Sequence, residues 1–202
     1  DLPDAYKSLN EALVHGGLGN NIGINIDWIN SEDLNSKSLK SKFKNINGII
    51  VPGGFGERGI SGKLKAIKYA RSNKVPFLGI CLGLQLAVIE FSINVLKIKN
   101  ANSSEFVDTE NNVIGLLTEW YKDGKKEVRS KASEVGGTMR LGSYPCKLSK
   151  TSLAYQIYKK TIINERHRHR YEVNTSFEDR LKDKGMVFSG KSPDSKLPEI
   201  IE

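Results

Sequence analysis

One cysteine in this sequence stands where a nucleophile would be built. Cys81 lies two positions from a glycine on each side, in Gly79-Ile80-Cys81-Leu82-Gly83. The apolar run Val75 to Ile80 leads into it. A second apolar run, Leu84 to Phe91, follows, with Gln85 as its one polar interruption before Glu90. The pattern predicts a strand, a sharp turn and a helix, with the thiol at the turn. It is the cysteine counterpart of the Gly-x-Ser-x-Gly nucleophile elbow. A side chain at either glycine would crowd such a turn. A thiol at a helix N-terminus also sits where the helix dipole favours the thiolate, the form that attacks. Cys146, in Tyr144-Pro145-Cys146-Lys147, has no such setting and reads as structural.

A second glycine-rich stretch, Gly53-Gly54-Phe55-Gly56-Glu57-Arg58-Gly59, follows the apolar run Gly48 to Val51. Gly54, Gly56 and Gly59 spell a dinucleotide-binding Gly-x-Gly-x-x-Gly. The acid that should follow about 20 residues later is missing: no Asp or Glu lies between Glu57 and Glu90. Another use fits better. A thiol attacking a carbonyl builds negative charge on oxygen. Two backbone N–H groups, one from Gly54 and one from Leu82, would form an oxyanion hole beside Cys81. Gln85, four residues after Cys81, shares its face of the helix and either bonds backbone or reads a polar substrate. In Arg166-His167-Arg168-His169-Arg170-Tyr171, an extended chain puts the three arginines on one face and His167, His169 and Tyr171 on the other. A guanidinium there would suit a carboxylate, and Glu105 would suit an ammonium group. Together they describe a pocket for a free amino acid with a side-chain carbonyl.

The elements that must position these groups follow from periodicity. Helices are expected from Pro3 to about Val14, stopped by Gly16-Gly17, over Leu39 to Phe43, Leu64 to Arg71, Leu82 to about Leu96, Leu153 to Tyr158, and Phe177 to Lys184. Strands are expected over Ile22 to Ile29, where Ile22, Ile24, Ile26 and Trp28 alternate, and over Gly48 to Val51 and Phe77 to Ile80. Short strands are expected at Val113 to Leu117, Glu127 to Ser130 and Thr138 to Leu141, an extended run from Arg166 to Val173, and a closing pair at Met186 to Ser189 and Leu197 to Ile201. Alternation of strand and helix before residue 100 argues for an α/β fold with a mostly parallel sheet covered by helices. The texture after it argues for a small antiparallel strand set.

Composition narrows the setting. With 202 residues, one domain is expected. The net charge is +8, but the lysines are interleaved with acids, which reads as a solvated surface rather than a nucleic-acid strip. Two cysteines do not make a disulfide framework, and reduced thiols suit a cytoplasmic setting. The longest apolar stretch, about Leu78 to Phe91, is too short and interrupted to cross a membrane. The start is not a signal peptide and not a Met, so an excised domain is expected.

The motifs Pro52-Gly53-Gly54-Phe55-Gly56 and Gly79-Ile80-Cys81-Leu82-Gly83 resemble those of class I, triad-type glutamine amidotransferases. Four further segments, 2–8, 100–106, 137–142 and 165–173, resemble the glutaminase domains of the CTP synthase family, and the last two are the more specific. The resemblance covers nearly the whole chain. It implies a three-layer α/β sandwich with a nucleophile elbow. It implies Cys81 as the nucleophile that forms a glutamyl thioester and releases ammonia, Gly54 and Leu82 as oxyanion-hole donors, and Gly54, Phe55, Leu82, Gln85, Glu105 and Arg170 as the residues holding L-glutamine. No metal site or cofactor is implied in this domain. ATP, Mg and UTP are implied at an upstream synthetase domain absent from this chain, with GTP as activator and a homo-oligomeric full-length protein.

One departure accompanies the resemblance. The family's base and its orienting acid lie in a His-Pro-Glu segment just past the strand matched by Leu197 to Glu202, where this sequence ends. The chain is therefore expected to be C-terminally incomplete, and residues 1–202 alone to turn glutamine over negligibly. The three histidines present are His15, His167 and His169. Alternatives from the same residues are an amidotransferase domain serving another synthetase, a glutamine-binding pseudoenzyme, and a basic nucleic-acid module centred on Arg166 to Arg170.

Overall fold

A computed structural model of the chain describes residues 3–107, 109–116, 119–122, 125–128 and 139–202. A 3-10 turn, Pro3–Tyr6, leads into α1 (Lys7–Gly19). The helix runs past the expected stop at Gly16 and Gly17. The chain reverses only afterwards, where Ile22 N–H donates to Gly17 O at 2.8 Å. The expected strand over Ile22 to Ile29 is absent. Ile22, Ile24 and Trp28 are exposed, and Trp28 meets the Tyr6 ring at 5.7 Å. Alternation alone does not make a strand. A strand needs a partner, and no described strand pairs with this segment.

The site-bearing half follows the expected order. After α2 (Leu39–Lys42) come β1 (Ile49–Val51), α3 (Ile60–Asn73), β2 (Phe77–Gly79) and α4 (Leu82–Asn94). β1 and β2 pair in parallel, with Ile49 opposite Phe77 and Val51 opposite Gly79. α4 is apolar nearly all round and is buried accordingly: Leu82, Leu86, Val88 and Ile89 are at most 2% exposed. Its one internal carboxylate, Glu90, is equally buried and is held by Arg71 of α3 through a forked pair at 2.8 and 2.7 Å. Burying that charge is tolerated because the guanidinium meets both oxygens. No described helix is long and apolar enough to cross a membrane.

After residue 100 come β3 (Asn102–Ser103), β4 (Asn112–Leu116), β5 (Glu119–Lys122) and β6 (Lys125–Val128). Then follow β7 (Arg140–Leu148), α5 (Leu153–Tyr158), β8 (Ile162–His169), β9 (Tyr171–Val173), α6 (Glu178–Asp183), β10 (Phe188–Lys191) and β11 (Pro198–Ile201). β3 pairs with β4 in parallel, and β9 joins β4 antiparallel. The antiparallel set is ordered β11-β10-β7-β8, and β5 and β6 form a separate hairpin. Of the expected strand ends, Leu117, Ser130 and Thr138 lie outside the described residues. β7 is far longer than the expected Thr138 to Leu141, since Gly142 and Pro145 break its pattern. Pro145 is accommodated because β7 is paired along its length only with β8 and meets β10 only at Lys147 and Leu148.

The main core gathers Leu34, Phe43, Val51, Ala66, Ile67, Leu86, Val88, Ile114 and Leu181 around α3 and α4. A smaller cluster, Cys146, Leu148, Ala154 and Ile163, joins the antiparallel set to α5. The last strand is tied down at its end. Glu202 accepts from the N–H groups of Leu153 (3.0 Å) and Ala154 (2.7 Å) at the start of α5, where a carboxylate meets the unsatisfied donors of a helix N-terminus.

Candidate active site

Cys81 occupies the turn between β2 and α4 with φ 53° and ψ −106°, a backbone conformation rare for a side-chain-bearing residue. The tightness of the turn explains both flanking glycines. A Cβ on Gly79 would lie 2.6 Å from the Gly83 carbonyl carbon, and one on Gly83 would lie 2.0 Å from Val51 O. The glycine-rich loop after β1 lies against this turn. A Cβ at Gly53 would touch Cys81 Cβ at 3.4 Å, and one at Gly54 would touch Leu82 Cδ2 at 3.5 Å and Lys63 Nζ at 3.9 Å. The structure thus brings the Gly54 loop, Cys81 and Leu82 together.

The thiol is half-buried, and its Sγ lies 3.8 Å from the Arg168 carbonyl oxygen, to which it donates. Burial pushes the Cys81 thiol above its ordinary range. The Leu82 N–H bonded to it opposes this, and the carboxylates of Glu105 and Glu172 add to the rise. The expectation that the helix end favours the thiolate is therefore outweighed: one N–H and the dipole do not offset desolvation and two nearby negative charges.

The remaining predicted residues ring this thiol. Gln85 is buried, and its Nε2 donates to Tyr171 O at 3.0 Å, so the amide takes the backbone option. Glu105 Oε1 accepts from Gly56 N–H at 3.3 Å. Arg170 Nε is buried with no hydrogen-bond partner. Glu105 and Arg170 both act on the Tyr171 phenol, which burial raises first, Glu105 raises further and Arg170 lowers. The two opposite charges therefore share one neighbourhood. The Phe55 ring is 58% exposed, with the Arg168 guanidinium 5.9 Å over it. Among the described residues no three His, Cys, Asp or Glu side chains could hold a metal ion.

Sequence reasoning missed three neighbours. The Arg168 contact is made by a main-chain carbonyl, which no side-chain pattern announces. Lys63 projects from the first turn of α3 towards Gly54, and burial lowers its ammonium pKa. Glu172 reads in sequence as an acid flanking a basic strip, yet it is buried and its carboxyl is pushed up to about 8, by burial above all and against the pull of Arg140.

The histidines sit elsewhere in this geometry. His15 is exposed on α1. His167 and His169 face inward from β8. His167 Nδ1 and His169 Nε2 are 2.8 Å apart, His169 Nδ1 is 3.2 Å from Tyr171 O, and His167 Nε2 is 3.8 Å from Glu199 Oε2. Arg140 joins them, with Nη2 2.5 Å from Glu199 Oε1 and Nη1 3.4 Å from Glu172 Oε1. Burial lowers both imidazoles first, with Arg140 adding to it, His167 to about 3 and His169 to about 4. Cys146 is fully buried beside Glu199, and its thiol is raised chiefly by burial.

Comparison with known proteins places this geometry. The family described as "Glutamine amidotransferase class-I" matches residues 1–202. The chain is 58% identical over 202 residues to the CTP synthase of Pelagibacter ubique, covering 100% of this chain and 37% of that protein. It is 53% identical over 205 residues to the CTP synthase of Desulfovibrio desulfuricans, covering 100% of this chain and 38% of that protein. The chain thus spans a little over a third of the length of these curated relatives. The solved glutaminase domain of Trypanosoma brucei CTPS, with bound acivicin, superposes with a TM-score of 0.84 at 35% identity, over 98% of this chain and 75% of that one. With a family match from first residue to last and a solved glutaminase domain sharing its fold, the chain belongs to the class I glutamine amidotransferase family, in the branch of the CTP synthase glutaminase domains.

Proposed function

We propose that Cys81 is the nucleophile of a glutaminase. The observation that carries this reading is the seat of its thiol: in a strained turn, against a glycine loop, with the Leu82 N–H on its sulfur and Arg170 Nε buried and unpartnered nearby. L-Glutamine enters with its α-carboxylate towards Arg170, its ammonium towards Glu105 and its side-chain amide over Cys81. Phe55 and Gln85 flank it, Gln85 through the Tyr171 carbonyl it fixes. Sulfur bonds to the amide carbon while the N–H groups of Gly54 and Leu82 receive the developing oxyanion. The C–N bond then breaks, the nitrogen takes a proton and leaves as ammonia, and water cleaves the thioester to glutamate.

A thiol raised by burial needs a base at the moment of attack, and departing ammonia needs a proton. His167 and His169 are engaged with each other and with Tyr171, so in this reading the base and its orienting acid come from a segment beyond Glu202. The domain thus spans residues 1–202 and continues C-terminally, with a synthetase domain upstream. In the complete protein, a cytoplasmic homo-oligomer, ammonia displaces phosphate from the O4-phosphorylated uracil ring of UTP to give CTP. ATP, Mg and UTP would be held by that other domain, with GTP as activator.

The test is covalent capture. Diazo-oxo-norleucine should place one adduct on Cys81, found by peptide mass spectrometry, and Cys81→Ser should abolish it. Labelling confined to Cys146, or none at all, would sink the reading.

A further inference from the structure

The chain changes sheets at a single residue. β8 follows β7 as far as the Arg140–His169 pair, β9 begins at Tyr171 against β4, and Arg170 alone lies between them. Three groups of the candidate site hang on this joint. They are the Arg168 carbonyl that receives the Cys81 thiol, the Arg170 guanidinium, and the Tyr171 carbonyl that receives Gln85.

The hydrogen-bond direction behind the joint follows from its end. Tyr171 O can only accept, so His169 Nδ1 carries the proton and donates at 3.2 Å. A neutral His169 then has a bare Nε2, which accepts from His167 Nδ1–H at 2.8 Å. The run is one-way: His167 to His169 to the Tyr171 carbonyl. Its far end, His167 Nε2, is bare, buried and faces the equally unpartnered Glu199 Oε2 at 3.8 Å. The charged and titratable groups around the pair are Arg140 and Tyr144 of β7, Glu172 of β9 and Glu199 of β11. The Arg140 guanidinium stands 4.4 Å over the Tyr144 ring, which meets His167 edge-on at 5.5 Å. An extra proton on His167 Nε2 would leave both hydrogen bonds of the run in place but would set an imidazolium beside this guanidinium.

We infer that His167 and His169 are positioning residues of the glutamine site: their one-way hydrogen-bond run fixes the Arg170 joint, and with it the guanidinium and the Arg168 and Tyr171 carbonyls. This rests on the glutaminase reading above. Neither imidazole touches the reacting atoms. The pair sets how well the amino-acid end of the substrate is gripped.

The test is made in the full-length protein with two probes. Diazo-oxo-norleucine must be recognised as an amino acid; iodoacetamide needs only a free thiol. His169→Leu fills the ring's space without an N–H, while His169→Asn keeps a donor at the δ position for Tyr171 O. At limiting diazo-oxo-norleucine, His169→Leu should slow Cys81 labelling about tenfold, the order expected for one lost buried hydrogen bond. The loss should lie in half-saturation rather than in the maximal rate. His169→Asn should stay within about threefold of wild type, and His167→Leu and His167→Asn should split the same way. Iodoacetamide alkylation of Cys81 should change less than about twofold, with Cys146 remaining unreactive as a sign of an intact fold. Wild-type labelling by His169→Leu, equal loss in the Asn and Leu variants, or a parallel change with iodoacetamide would overturn the inference. If His169→Leu does not fold, His169→Gln, whose amide lies only at the ε position, replaces it. Equal labelling of the Gln and Asn variants would then overturn it. Wild-type protein that takes no label at Cys81 overturns the glutaminase reading instead.

Discussion

Cys81 is supported by apolar packing and close backbone approach, whereas the backbone joint at Arg170 is backed by a buried polar network. Under Cys81 lie Leu82, Leu86, Val88 and Ile89, and the turn closes because Gly79 and Gly83 leave no side chain in the way. All of these groups come from one stretch of strand, turn and helix. Behind the joint that carries Arg170, reached through the Tyr171 carbonyl, lie His167, His169, Glu172, Glu199 and Arg140, and Arg140 reaches Glu172 across 32 residues of sequence and Glu199 across 59. The difference teaches where each half is fragile. Apolar packing loses stability in proportion to what is removed. A buried charge network fails more abruptly, because each partner removed leaves another uncompensated.

The polar half should break hardest. Arg140→Met removes the one guanidinium shared by Glu172 and Glu199, leaving the Glu199 carboxylate buried without its cation and the Glu172 carboxyl without its donor. It should cost about 3–5 kcal/mol, read as a lower urea midpoint at unchanged m. Were it neutral, the network would be decoration on an apolar fold. Gly83→Ala tests the other half. A Cβ 2.0 Å from Val51 O forces β1 and α4 apart, for about 2–3 kcal/mol and slower labelling of Cys81. An unchanged midpoint would show that the turn has room to spare.

The smallest effect sharpens the comparison by pH. Folded His167 and His169 take up protons only near 3 and 4, while in the unfolded chain they do so near 6.5. Between those values the unfolded state holds more protons, so stability falls as pH drops below about 6.5. Glu172 acts in the opposite sense: folded, it keeps its proton to about 8 and loses it near 4.5 when unfolded, so its contribution is lost as pH rises towards 8. Two groups oppose one below pH 6.5, and the one acts alone above it. Tm should therefore peak near pH 6.5. A His167→Asn/His169→Asn variant should reverse the acid slope, so that Tm keeps rising as pH falls from about 8 towards 4.5, and Glu172→Gln should flatten the alkaline side. A Tm profile unmoved by either would rule out these groups as its cause.

The same contrast explains what the sequence disclosed. Cys81, its glycines, the Gly54 loop and Gln85 were legible because their relations are local, set by turns and by helical spacing. Alternation over 166–173 correctly put His167 and His169 opposite the arginines, but it said nothing of the partners they would find there. Glu172, Glu199 and Arg140 lay in three separate expected extended segments, and only the tertiary arrangement of β7, β9 and β11 brings them together. Ile22 to Ile29 shows the reverse error, a strand pattern that no described strand pairs with. β7 was cut short by Pro145, whose missing donor matters little where one flank of the strand is unpaired.

The single residue between β8 and β9 leaves the chain no slack. Adjacent strand residues point to opposite faces, so one residue inserted or deleted between 166 and 173 would exchange the faces of everything beyond it. An insertion before Arg168 would turn guanidinium groups towards the Glu199 carboxylate and send the His169 imidazole towards Cys81. Length is therefore fixed here more strictly than composition, and among relatives of this chain the segment should admit substitutions but no gaps.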